Sequence, residues 1–109
     1  MRAATIAEAY FGRNASSREV VDDAAWTHFL DKVVTPAFPD GLTVLDAAGQ
    51  WRGLDGRIAR ERSKVLVVAL PGGTPADAVA RLAPVRAAYT SRFNQESVMV
   101  TTRTTCVGF

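Results

Sequence analysis

The chain is poor in the residues that build disulfides and metal sites. Among 109 residues it has one cysteine, Cys106, and one histidine, His28. A lone cysteine cannot form a disulfide within the chain, and a structural zinc site needs about four Cys or His ligands. The longest unbroken apolar run, 65–70, has six residues, against roughly 20 for a membrane span. We therefore expect a soluble chain with no metal and no membrane span.

The chain also has little excess of either sign of charge. Lys and Arg number 13 and Asp and Glu number 11, and the formal net charge is +2. The densest basic stretch, residues 52–64, is interrupted by Asp55 and Glu61, whereas a surface that follows phosphates needs a stripe of one sign. No phosphate-binding loop, dinucleotide fingerprint or nucleophile elbow is present. The sequence predicts neither a nucleic-acid partner nor a cofactor.

What remains is the composition of an ordinary globular domain. Apolar residues make up 48% of the chain and charged residues 22%, and the length suits a single domain over 1–109. No signal segment is apparent in the chain as written. The sequence therefore leaves the compartment unknown: cytoplasmic as written, exported or lipid-anchored if a signal segment was removed.

Periodicity divides the chain into six elements. Residues 5–13 alternate as a strand does, and Asp22 is a suitable N-cap for a helix that Pro36 should end. A second helix should begin at Thr74 and present Val79, Leu82, Val85 or Arg86, Tyr89 and Phe93 inward, with a kink or break at Pro84. Residues 97–107, rich in Val and Thr, predict a last strand.

Between the helices, residues 42–71 predict a long hairpin around Gly53 to Gly56. In an unbroken ladder Asp46 would face Ser63, and with a bulge at Gly49 it would face Arg62. A tight turn over residues 46–49, giving a short meander, is the alternative.

The order strand, helix, strand, strand, helix, strand predicts an α+β fold. With both helices on one face of an antiparallel sheet, this is the ferredoxin-like βαββαβ sandwich with a long central hairpin. Residues 65–70 are all apolar, so the strand presents apolar side chains on both of its faces. The two helices can cover only one of these faces, and the other needs a second partner. We therefore expect a homo-oligomer, most simply a homodimer through the open sheet face.

Four strings resemble a known family. They are FGRN at 11–14, VTPAFPDGLTVLDAAGQWR at 34–52, SKVL at 63–66 and QESV at 95–98. They resemble an uncharacterised family of small bacterial proteins, a domain of unknown function whose members often follow a lipoprotein-type signal. The resemblance runs from about Ala9 to Phe109 and implies no activity, cofactor or catalytic residue.

Several polar or aromatic residues stand where the pattern favours apolar ones or at element ends. Asp46 interrupts a strand and could transfer protons or pair across the hairpin. Lys64 could be a base if buried, or an exposed strand-end charge. Arg13 could bind a carboxylate or phosphate, and Arg92 could cap helix carbonyls or bind a ligand. Trp51 is expected in the core. The tentative ligand-binding set is Arg13, Asn14, Asp46, Gln50, Trp51, Lys64, Arg92 and Gln95.

These residues favour one functional hypothesis over two others. The leading hypothesis is an oligomeric domain that binds a small molecule. The alternatives are a cofactor-free enzyme of the proton-transfer or isomerase type that uses Asp46 or Lys64, and a structural or protein-interaction module without a pocket.

Overall fold

The computed structural model describes residues 1–109 and places six strands and three helices along the chain. The strands are β1 Arg2–Gly12, β2 Asn14–Ala15, β3 Arg18–Glu19, β4 Thr43–Arg52, β5 Ile58–Pro71 and β6 Met99–Val107. The helices are α1 Asp23–Phe29, α2 Thr35–Ala37 and α3 Pro75–Phe93, and a π-helical segment, Leu30–Val34, joins α1 to α2.

Four strands form the main sheet in the order β4-β5-β1-β6, with every neighbouring pair antiparallel. The helices pack on one face, where odd-numbered residues of β1 such as Ala7, Ala9 and Phe11 are buried. The predicted α+β sandwich of βαββαβ type is therefore confirmed. The pair β2 and β3 is an additional small hairpin, turning through Ser16 and Ser17 with positive φ, in a segment expected to be only a polar connection.

The hairpin register differs from both predicted registers. Asp46 faces Lys64, and Arg52 faces Ile58. The turn is one residue longer than expected, because Gly53 N donates to Arg57 O at 2.9 Å and the Asp55 carboxylate accepts from Arg57 N at 2.9 Å. Arg57 thus belongs to the loop, β4 runs unbroken through Gly49, and neither the bulge nor the short meander occurs.

The first helix begins as predicted and ends later. The Asp22 carboxylate accepts from Ala25 N at 2.8 Å, which is a normal N-cap. The chain remains helical past Pro36, because the preceding π-helical segment widens the turn and Thr35 N bonds to Leu30 O. That wider turn accommodates a proline that would otherwise clash with the carbonyl four residues earlier.

Helix α3 begins with the predicted N-cap, but the set of residues on its buried face differs from the predicted one. Thr74 and Asp77 form a capping box, and α3 is continuous through Pro84. Its buried residues are Ala78, Leu82, Val85 and Tyr89. Val79 is 45% exposed, so its predicted place in the stripe is wrong. Ala78 holds that place instead, since residues four apart lie on one helix face.

An aromatic cluster fixes the helices to the sheet. Phe11 lies against Tyr89 with ring centroids 4.8 Å apart, and Phe29 lies 5.1 Å from Tyr89. The Tyr89 hydroxyl donates to Gly12 O at 2.6 Å. Desolvation raises the pKa of this phenol, so it stays a donor. The cluster aligns the end of β1 with the C-terminal half of α3.

The hairpin extends beyond the helical layer. No residue of β4 is buried, whereas Leu66, Val68 and Leu70 of β5 lie in the core. The molecule measures 46 × 29 × 21 Å with a radius of gyration of 14.7 Å, against about 13 Å for a compact chain of this length. The outer hairpin therefore projects from the domain as an arm with both faces accessible.

Candidate functional site

Charged side chains converge where this arm leaves the helical layer. They come from the residue after β1, from β3, from the start of α1 and from facing positions on β4 and β5. We call this group the hairpin cluster, and its members are Arg13, Glu19, Asp23, Asp46, Arg62 and Lys64.

Arg13 is the buried centre of the hairpin cluster. Its side chain is 1% exposed, donates from Nε to Val21 O at 2.8 Å and from Nη2 to Asp23 Oδ1 at 2.7 Å. Its carbonyl accepts from Val20 N at 2.8 Å. The hydrogen bond from Arg13 holds the pKa of Asp23 below its ordinary value. Arg13 thus fixes the small hairpin and the start of α1 against the sheet.

Arg62 is fixed but still open to solvent. Its Nε and Nη2 donate to the two Glu19 carboxylate oxygens at 2.7 and 2.8 Å, a bidentate geometry that restrains the guanidinium plane. The Arg62 side chain is nevertheless 56% exposed. Hydrogen bonding to Arg62 lowers the pKa of Glu19. Arg62 Nη1 also lies 3.7 Å from Asp23 Oδ1, so the guanidinium is held between two carboxylates while it remains partly exposed.

Lys64 and Asp46 form the directly facing pair of the hairpin. Lys64 Nζ donates to Asp46 Oδ1. The Lys64 side chain is 14% exposed and that of Asp46 is 83% exposed, so an ammonium largely withdrawn from water meets a carboxylate at the rim. The hydrogen bond from Lys64 lowers the pKa of Asp46, which keeps this carboxylate ionised.

A shallow groove adjoins this pair. Its volume is about 340 Å³ and it is lined by Ala48, Gly49, Gln50, Arg60, Glu61 and Arg62. Ala48 faces Arg62, and Gln50 faces Arg60, so the groove occupies the two positions outward from Asp46 and Lys64. The tentative residue Gln50 lies in its lining, with its side chain exposed.

Asn14 and Gln95 meet behind the hairpin cluster. Gln95 Nε2 donates to Asn14 O at 2.9 Å and to Phe93 O at 3.1 Å. Asn14 N donates to Glu61 Oε2 at 2.9 Å. These contacts tie the end of α3 to the end of β1, so both residues support the hairpin cluster from behind.

Two tentative residues lie apart from the others. Trp51 lies on the opposite face of the arm and is 57% exposed; the core expectation is wrong because Trp51 points to the open side of the sheet, which no helix covers. The Arg92 guanidinium lies 5.6 Å from the Phe29 ring centroid, a cation–π distance. Arg92 donates no hydrogen bond to the last helix carbonyls. One of these carbonyls, Thr90 O, instead accepts from Asn94 N and Gln95 N.

A second polar group was missed by the sequence analysis. On the open face, the Tyr10 hydroxyl donates to Glu8 Oε2 at 2.7 Å, and Arg103 pairs with the other oxygen of Glu8. Hydrogen bonds from Tyr10 and Arg103 lower the pKa of Glu8, and Glu8 raises that of Tyr10. We call these residues the open-face triad. The signal was available, because Glu8 interrupts an apolar strand as Asp46 does.

A wider recess lies at the other end of the sheet. It has a volume of about 560 Å³, and Phe38, Asp40, Gly73, Asp77 and Arg81 are among its lining residues. Arg81 Nη2 donates there to Ala37 O at 2.8 Å, and the Arg81 guanidinium lies over the Phe38 ring. None of the tentative residues lines this recess.

Two further features bear on the class of site. No group of three or more His, Cys, Asp or Glu side chains is arranged to hold a metal ion. No helix combines the length and the apolar character required to cross a bilayer.

The fold and the hairpin cluster define a small α+β sandwich domain with a group of charged side chains at one end of its sheet. Residues 7–109 match the family described as "Protein of unknown function (DUF3574)". The chain belongs to this family, and the expectation of an uncharacterised domain family is confirmed. No curated protein matches the chain in sequence.

Solved structures of similar fold come from a phage enzyme. A phage SAM lyase in complex with S-methyl-5'-thioadenosine superposes with a TM-score of 0.70 and 16% sequence identity, covering 92% of this chain and 80% of that one. A phage SAM lyase in the apo state gives a TM-score of 0.69 and 15% identity, covering 92% and 79%. At these identities the similarity is one of fold.

Proposed function

We propose that this protein is a homodimeric domain that binds a polar small molecule at the hairpin cluster. One observation carries the proposal: six charged side chains from five parts of the chain converge beside a groove, and three of them, Asp23, Asp46 and Arg62, are more than half exposed. Charged residues are seldom gathered in this way without a role in stability or recognition.

The cluster is arranged as a binding site would be. Arg13 is buried and fully engaged, and it holds the surrounding elements, whereas Arg62, Asp46 and Gln50 are exposed to solvent. A rigid inner layer that positions accessible outer groups lowers the entropic cost of binding. The phage SAM lyase in complex with S-methyl-5'-thioadenosine supports the proposal, because a similar fold there holds a small molecule.

The open sheet face supports the dimer. It carries half-exposed Leu45, Trp51 and Met99, while Val65 and Val67 of β5 point to the same side. The chain exposes 6843 Å², against roughly 5,900 Å² expected for a folded monomer of this mass. The excess is close to the ~800 Å² that each partner contributes to a standard interface.

A cofactor-free proton-transfer enzyme is the second candidate, favoured by the fold shared with a lyase. Its catalytic group would be Lys64, whose ammonium is a proton donor, rather than Asp46. The low pKa of Asp46 makes that carboxylate a weak base near neutral pH, since a general base works best with a pKa near the working pH.

A thermal-shift screen of small metabolites tests the binding proposal. We expect at least one compound to stabilise the wild type, and Asp46→Ala and Lys64→Ala to abolish that stabilisation while melting near the wild-type temperature. Asp31→Ala and Lys32→Ala remove the same charges from exposed positions near the first helix and should keep the response. If Asp46→Ala and Lys64→Ala simply unfold, the pair is structural and a module without a pocket is the better interpretation.

Light scattering at micromolar concentration tests the dimer. We expect the mass of two chains for the wild type and of one chain for Leu45→Lys or Met99→Lys, because a lysine there would be desolvated in the interface. Val79→Lys makes a comparable change at an exposed apolar position on α3 and should remain dimeric. A monomeric wild type contradicts the dimer and leaves the binding proposal standing.

A further inference from the structure

The face of the arm that continues the helix-covered side of the sheet carries more positive charge than its own carboxylates neutralise. Arg60, Arg62 and Lys64 occupy alternate positions of β5, so their side chains share one face, about 6.7 Å apart. Lys64 is paired with Asp46, and Arg62 with both Glu19 and Asp23. Arg60 belongs to none of the ion pairs in the chain. An unpaired guanidinium therefore lies beside a restrained one.

Arg60 and Arg62 both line the groove, together with the small residues Ala48 and Gly49. Opposite Arg62 stands Ala48, and opposite Arg60 stands Gln50, whose exposed amide adds two donors. The lining includes one carboxylate, Glu61, which accepts from Asn14 N at 2.9 Å. Arg60, Arg62 and Gln50 thus line one space of about 340 Å³.

We propose that this groove binds a small molecule with a doubly charged oxyanion, either a phosphate group or a pair of carboxylates. Arginine forks match the geometry of both groups and form charge-assisted hydrogen bonds with them. Arg62 would bind first because Glu19 already fixes its plane, and Arg60 would close on the second pair of oxygens. The inference rests on the proposed function, since it names the ligand class of the same cluster.

Calorimetric titration with three probes at constant ionic strength tests the inference. Phosphate and succinate carry two charges and should bind, whereas acetate, with one, should bind at least tenfold more weakly, because a single carboxylate engages one guanidinium. Binding of succinate but not of phosphate would identify a dicarboxylate site. Binding of phosphate but not of succinate would identify a phosphate site. Either result supports the proposal; no heat with either dianion overturns it.

Matched arginine variants separate this groove from general charge attraction. Arg60→Met should weaken dianion binding about tenfold or more, since a charged hydrogen bond contributes about 1.5–3 kcal/mol, without changing the fold. Arg57→Met removes the same charge from the turn of the same hairpin, outside the groove, and should change affinity less than about twofold. Equal losses in the two variants overturn the proposal.

The proposed function can survive that failure. A metabolite whose stabilising effect is lost in Asp46→Ala and unchanged in Arg60→Met would keep the hairpin cluster as a binding site and remove the oxyanion assignment. A dianion that binds the wild type and not Arg60→Met, with no loss in Asp46→Ala, would support the groove while removing Asp46 from the site.

Discussion

Neighbouring residues of β1 serve two faces that differ in nearly every respect. Phe11 points to the helices, is fully buried and lies among Trp26, Phe29 and Tyr89. Tyr10 points to the open face, is half-buried and donates to Glu8. The covered face is a finished core, whereas the open face combines exposed apolar side chains with an ion pair.

The difference shows which part of the chain is complete by itself. A finished core loses stability whenever a side chain is truncated, whatever the protein concentration. An unfinished face depends on what covers it, so truncation there acts through association and varies with concentration. Paired substitutions on the two faces distinguish these situations.

Truncating one leucine on each face should give the largest contrast. Leu82 is 0% exposed and Leu45 is 50% exposed. Leu82→Ala should cost about 2–5 kcal/mol of unfolding free energy, and Leu45→Ala less than about 1 kcal/mol at submicromolar concentration. Urea unfolding at two protein concentrations measures both.

The concentration series also supplies the control. If the open face is a dimer interface, the cost of Leu45→Ala should grow with protein concentration while that of Leu82→Ala stays nearly constant. A Leu45→Ala cost that does not change with concentration would remove the argument that a second copy covers this face.

The fold was accessible to sequence reasoning because its signals are local. Asp22 and Thr74 cap helices as predicted, and strand periodicity gave the element order that fixes the sandwich. The register of the hairpin was not accessible, since it depends on whether Arg57 belongs to the turn or to the strand. That choice is made by two hydrogen bonds around Gly53 and Asp55.

The candidate site was predicted in part for the same reason. Asp46 and Lys64 were recognisable as charges within strands, yet their pairing follows from the register. The exposure of Trp51 follows from its place on the face that the helices do not cover, which depends on the register of the hairpin and on no local pattern. Glu19 joins the hairpin cluster only through the β2–β3 hairpin, which Ser16 and Ser17 allow by adopting positive φ.

Removing one hydroxyl from each face gives a smaller contrast. Tyr89 Oη donates to Gly12 O at 2.6 Å at the edge of the core, so Tyr89→Phe leaves a part-buried carbonyl unpaired and should cost about 1–3 kcal/mol. Tyr10→Phe removes a bond to the half-buried Glu8 and should change stability by about 0.5 kcal/mol or less. Chemical denaturation compares them, and similar costs would mean that Tyr10 is buried as deeply as Tyr89 in the native assembly.

Lowering the pH should give the smallest difference between the open face and the hairpin cluster, read as a change in melting temperature. The pKa values of Glu8, on the open face, and Glu19, in the hairpin cluster, are both lowered in the folded chain, by Tyr10 and Arg62 respectively. A lowered folded-state pKa stabilises above the unfolded value, about 4.3, and the stabilisation is lost as pH falls through the folded value. The melting temperature should therefore stay level from pH 7 to pH 5 and fall below about pH 4. Glu8→Gln and Glu19→Gln should each reduce the fall in melting temperature below about pH 4. Only the Glu8→Gln effect should vary with protein concentration, because only Glu8 lies on the face that a second copy would cover.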